Sequence, residues 1–98
     1  MSEEIAVIAT VQASPGLEAE VEAAIRPCIA ATRKEAGCRL YTVHTDLEHP
    51  GRFVFIERWA SREALAAHER EAHFLAMVDA FRTRLHGSIQ VQTLRELT

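Results

Sequence analysis

The 98 residues amount to one domain, 48% hydrophobic and 26% charged, with a net charge of −3. That acidic balance argues against nucleic-acid binding, which calls for a basic stripe. The longest largely apolar run, Ile5 to Val11, is too short to span a bilayer, and no charged segment leads into an apolar one as in a secretory signal. A cytoplasmic protein without a membrane or nucleic-acid partner is the expectation. Cys28 and Cys38 then read as reduced small hydrophobes, because their spacing matches no zinc or redox motif.

Along the chain, Ile5–Gln12 (IAVIATVQ) is apolar at nearly every position, the mark of a strand buried on both faces. Ser14-Pro15-Gly16 makes a turn. Leu17, Val21, Ala24, Ile25, Cys28 and Ile29 form a helical stripe within residues 17–36, with Pro27 expected to kink it and Gly37 to stop it. Leu40–Thr45 is a second strand and Asp46–Gly51 a turn. Arg52–Trp59 (RFVFIERW) is a third strand rich in aromatic and β-branched residues. Ser61 can cap a helix carrying Ala64, Leu65 and His68 on one face. A further stripe of Phe74, Met77, Val78, Phe81 and Leu85 runs to Gly87, and Ile89–Leu97 is the last strand.

The order β-α-β-β-α-β predicts an α+β, ferredoxin-like fold over residues 1–98: a four-stranded antiparallel sheet with its helices on one face. The third strand offers Phe53, Phe55 and Trp59 on one side and Val54 and Ile56 on the other. Helices cover only one of these faces. A second subunit is the simplest cover for the other, so a homodimer is expected.

The stretch Glu57-Arg58-Trp59-Ala60-Ser61-Arg62-Glu63-Ala64-Leu65-Ala66-Ala67-His68 resembles the E-x-W-x-S-x-E-A-L-x-x-H signature of the antibiotic biosynthesis monooxygenases. In order around it stand Pro15-Gly16, Glu35-Ala36-Gly37-Cys38, Tyr41, Asp46, Pro50-Gly51-Arg52-Phe53 and Ala72-His73-Phe74, the last with Ala where the family has Pro. The resemblance spans residues 5 to 95. It implies a dimeric α+β barrel that oxidises a small aromatic or hydroquinone with molecular oxygen, using neither metal nor flavin. A deprotonated hydroquinone can reduce oxygen itself. The protein then needs an apolar pocket, a base or hydrogen-bond donor, and exclusion of water.

Three residues are the candidate catalytic groups. Trp59 has an indole N–H that could meet a substrate oxygen, His68 could act as a base near neutral pH, and His44 stands mid-strand without an obvious structural reason. Phe53, Phe55, Tyr41 and Phe74 are the candidates for substrate contact. Glu57 shares the strand face of Phe55 and Trp59 and is expected to need a partner such as an arginine. His68 and His73 superficially match a zinc motif, but five residues of helix turn them about 140° apart, so no metal site is expected. Haem-degrading relatives of the fold use a strand-one Asn and a helix His, where this chain has Ala9 and Val78. The leading expectation is a cofactor-independent monooxygenase. An isomerase or other small-molecule enzyme on the same barrel, or a non-catalytic dimeric ligand-binding or stress module, are the alternatives.

Overall fold

The computed structural model describes residues 3–97. Its elements are β1 (Ile5–Gln12), α1 (Glu18–Thr32), β2 (Cys38–Thr45), β3 (Arg52–Trp59), α2 (Arg62–His68), α3 (Ala72–Phe81) and β4 (Gln90–Leu94). The strands form one antiparallel sheet in the order β2-β3-β1-β4. This is the ferredoxin-like topology expected from the element order.

Strand alternation sorts the side chains. Ile5, Val7 and Val11 of β1 and Phe53, Phe55, Glu57 and Trp59 of β3 are buried beneath the helices. The register sets Glu57 between Val7 and Tyr41, its cross-strand partners. The opposite sheet face carries Ile8, Val54, Ile56, Leu40 and Leu94, partly or wholly exposed.

α1 runs unbroken past Pro27 and ends at Thr32, four residues short of the expected limit. Residues 33–37 are turns, and this loop carries Glu35. Gly37 is needed there for closeness rather than for a helix stop: a Cβ on it would collide with the Cβ of Ala64 in α2. Its carbonyl also accepts from Ala60 N–H at 2.9 Å, which clamps the loop against the β3–α2 corner.

Ser61 caps α2 as expected, its hydroxyl accepting from Ala64 N–H at 3.1 Å. The chain then breaks at residues 69–71 before α3, Glu71 being extended. The reason lies in the apolar phase. At 100° per residue, Phe74 falls about 120° from His68 and about 180° from Leu65, so one straight helix could not bury both groups.

Candidate active site

Between the helix-covered sheet face and α2–α3 lies a cavity of about 300 Å³. Val7, Ala9, Val11 and Phe55 form its sheet wall, and Phe74, Met77, Val78 and Phe81 its helix wall. Ile89, Val91 and Thr93 close the β4 side. Its polar groups gather at the other end: Tyr41, Glu57, His68 and, exposed on the surface, Glu69.

Glu57 is only 6% exposed, and its partner is Trp59, whose indole N–H donates to Oε1 at 2.8 Å. Among the described residues of the chain the partner is thus an indole rather than the arginine expected from sequence. A carboxylate two positions from a tryptophan on the same strand face reaches the indole directly. Burial pushes the Glu57 pKa up to about 7, with the negative charges of Glu69 and Glu35 adding to it and the Trp59 hydrogen bond opposing it.

His68, 2% exposed, packs its ring on Trp59 with centroids 4.6 Å apart. Phe74 and Tyr41 stand edge-on to it at 5.0 and 5.7 Å. His68 Nδ1 lies 2.8 Å from Glu35 Oε2, and His73 Nε2 lies 2.7 Å from the same oxygen. An ionised carboxylate only accepts, so both of these ring nitrogens carry hydrogen. In neutral His68 the lone pair is then on Nε2. That nitrogen has no protein partner, yet no sealed side-chain nitrogen or oxygen among the described residues is left unpaired. Nε2 therefore opens on the cavity, which His68 lines. A lone-pair nitrogen facing an apolar cavity, with its ring fixed from behind by a carboxylate, is the arrangement of a general base.

Tyr41 is buried with its hydroxyl 3.7 Å from Cys28 Sγ, and burial pushes its pKa well up, so the phenol stays protonated. Burial likewise raises the Cys28 thiol, which sits 3.5 Å from Thr32 Oγ1.

Of the residues singled out from sequence, Trp59, His68, Tyr41, Phe55 and Phe74 converge on this cluster. Trp59 stands behind the cavity wall, its N–H already taken by Glu57. Phe53 is buried at 5% on the same sheet face but does not line the cavity. His44 projects from the opposite sheet face, where Nε2 lies 2.9 Å from Thr42 Oγ1. Sequence reasoning missed Glu35, the centre of the polar network, although it lies within the matched stretch Glu35-Ala36-Gly37-Cys38.

The 140° divergence of His68 and His73 assumed one continuous helix. The break at 69–71 removes that premise and lets both rings meet Glu35. One donor atom from each of the three residues lies within 4.8 Å of the others, a two-imidazole, one-carboxylate set able to hold a divalent cation. The 2.7 and 2.8 Å separations are also those of direct N–H···O⁻ hydrogen bonds.

A ferredoxin-like α+β domain with a largely apolar cavity and a carboxylate-backed histidine defines the class of protein. The family model described as antibiotic biosynthesis monooxygenase matches residues 4–80, and the chain belongs to that family. It is 35% identical to Rv0793 of Mycobacterium tuberculosis over 75 residues, 76% of this chain and 73% of that protein. Among solved structures, PA3566 of Pseudomonas aeruginosa superposes with a TM-score of 0.93 at 33% identity, covering 100% of this chain and 98% of that one. A crystal structure titled antibiotic biosynthesis monooxygenase gives a TM-score of 0.92 at 30% identity, covering 96% and 99%.

Glu57 makes a prediction about pH. Its folded pKa of about 7 lies above the ordinary 4.5, so between these values the folded chain holds a proton that the unfolded chain has lost. Stability should therefore fall as pH rises through this window, by on the order of 3 kcal/mol from this group. Urea midpoints across the window should show Glu57→Gln matching wild type at the acid end and exceeding it above pH ~7. Trp59→Phe removes the hydrogen bond that opposes the shift, so its loss of stability with pH should be steeper than wild type. Parallel curves for all three proteins would contradict the assignment.

Proposed function

We propose that this chain is a cofactor-independent monooxygenase that oxidises a small hydroquinone or phenol inside the cavity, with His68 as general base. The observation that supports this best is His68 itself, its Nδ1 held by Glu35 and its Nε2 open to the apolar cavity. A substrate hydroxyl gives its proton to Nε2, and the imidazolium is stabilised by the Glu35 carboxylate 2.8 Å away. The resulting electron-rich anion passes one electron to molecular oxygen, and the radical pair recombines as a carbon–oxygen bond. The peroxide anion so formed takes back the proton held on His68 Nε2, and the hydroperoxide then loses water, with the hydrogen of the same ring carbon, to give the carbonyl of the oxidised ring. Glu57, which lines the cavity and can carry a proton near neutral pH, would hydrogen-bond a second substrate oxygen. The phenyl rings of Phe55, Phe74 and Phe81 hold the substrate ring and exclude water.

The oxygen electrode tests this with a panel of hydroquinones, alongside Ala9→Leu, which adds bulk to the cavity wall. Uptake by wild type that Ala9→Leu suppresses at least about tenfold supports the site. No uptake with any member of the panel would refute the function.

The same reading includes a homodimer built on the open sheet face. There Leu40 and Ile56 are each 36% exposed and Leu94 42%, with Ile8 and Val54 half-buried beside them. These apolar side chains, with Arg58, Thr42 and His44 among them on the same face, leave apolar surface that calls for a cover. Sedimentation at micromolar concentration should give a species of twice the 11.0 kDa chain, and Ile56→Lys should shift it toward monomer. A wild-type monomer at that concentration would contradict the dimer.

A further inference from the structure

The ionisable lining of the cavity is one-sided. It holds two carboxylates, Glu57 within and Glu69 on the surface, with His68 and the protonated phenol of Tyr41, and neither lysine nor arginine. Among the described residues neither carboxylate belongs to an ion pair. Arg58 pairs with Glu4 and Glu96, Arg84 with Glu20 and Arg95 with Glu3, while Arg39, Arg62 and Arg70 form no ion pair among the described residues and do not line the cavity. Glu69 is close enough for its charge to act on Glu57, and the Glu35 carboxylate stands just behind His68.

We propose that the cavity takes uncharged hydroxylated ring compounds and rejects their carboxylated, sulfonated or phosphorylated counterparts, with Glu69 as a specificity-determining residue. This rests on the cavity being the substrate site. A neutral hydroxyl gains from every polar group present: it can donate to His68 Nε2 or to a Glu57 oxygen. An anionic substituent meets no cation to replace its lost hydration, and it meets the field of Glu69 as it passes. One like charge at ~8 Å, with an effective dielectric near 20, lowers affinity about 30-fold, and less where solvent screens it.

Equilibrium dialysis of the full chain against a naphthol and the matching naphthoate, at neutral pH, tests this without requiring turnover. The naphthol should bind at least about tenfold more tightly. Glu69→Gln should narrow the ratio by about threefold or more, as should added salt. Glu69 is exposed and its side chain makes no hydrogen bond among the described residues, so the variant keeps the fold. Equal affinities, or a preference for the naphthoate, would overturn the inference while leaving the cavity as a binding site. A ratio untouched by Glu69→Gln would also overturn it, since discrimination would then owe nothing to that residue. If neither compound bound, the substrate-site reading would fall along with the inference.

Discussion

Replacing His68 with Gln is expected to lower oxidation of a responsive hydroquinone by roughly 10²- to 10⁴-fold, the usual contribution of a positioned general base. Gln keeps a hydrogen-bond donor within reach of Glu35 and much of the buried volume. The loss should therefore fall on kcat more than on stability. A purely structural His68 predicts the opposite: a lower urea midpoint with normal turnover by the protein that remains folded. Measuring both on one preparation separates the two roles. Added imidazole should restore part of the rate if the missing group is a base, and none of it if the defect is packing.

Glu35→Ala should be the most destabilising of the polar substitutions. Among the described residues Glu35 Oε2 is the only partner of His68 Nδ1 and of His73 Nε2, and His68 is 2% exposed. Removing the carboxylate leaves a buried N–H unsatisfied and breaks two charge-assisted bonds, a loss of about 2–4 kcal/mol. For a domain of this size that is a fall in melting temperature of roughly 10–25 °C. Glu35→Gln keeps an oxygen that can accept from both rings but removes the negative charge that strengthens those bonds, so it should fall between Ala and wild type in stability. Its turnover should still drop, because a neutral amide cannot stabilise the imidazolium. A melting temperature for Glu35→Ala within a few degrees of wild type would show that the network carries little energy.

Much of the fold was legible because strands and turns leave local marks. β1 and β3 have the ends read from alternation and turn residues, Ile5–Gln12 and Arg52–Trp59. β4 proved shorter than expected, Gln90–Leu94: it leaves the sheet at both ends while β1 continues to Ile5 and Gln12, and no local pattern in Ile89–Leu97 marks those ends. The break between α2 and α3 was visible as a phase slip in the apolar stripe, yet the zinc-motif argument treated residues 68–73 as one helix. Their convergence on Glu35 was not legible: the contact joins residues 33 and 38 positions apart, and no local periodicity encodes it.

Strand parity could have sharpened the site. Tyr41 and His44 are three residues apart on β2 and must face opposite sides of the sheet, so they could not line one cavity. The burial of Tyr41 places the cavity on its side and His44 on the other. Parity likewise grouped Phe55, Glu57 and Trp59, but not the indole-to-carboxylate bond, which depends on rotamers rather than sequence spacing.

Oxygen uptake by protein dialysed against a strong chelator, with metal content assayed in the same sample, bears hardest on a cofactor-free base in this cavity. Uptake should persist undiminished in the metal-free protein and be lost in His68→Gln. Uptake that vanished with the metal and returned on adding one divalent ion per chain would contradict it, and would make Glu35, His68 and His73 a metal centre rather than a base and its support.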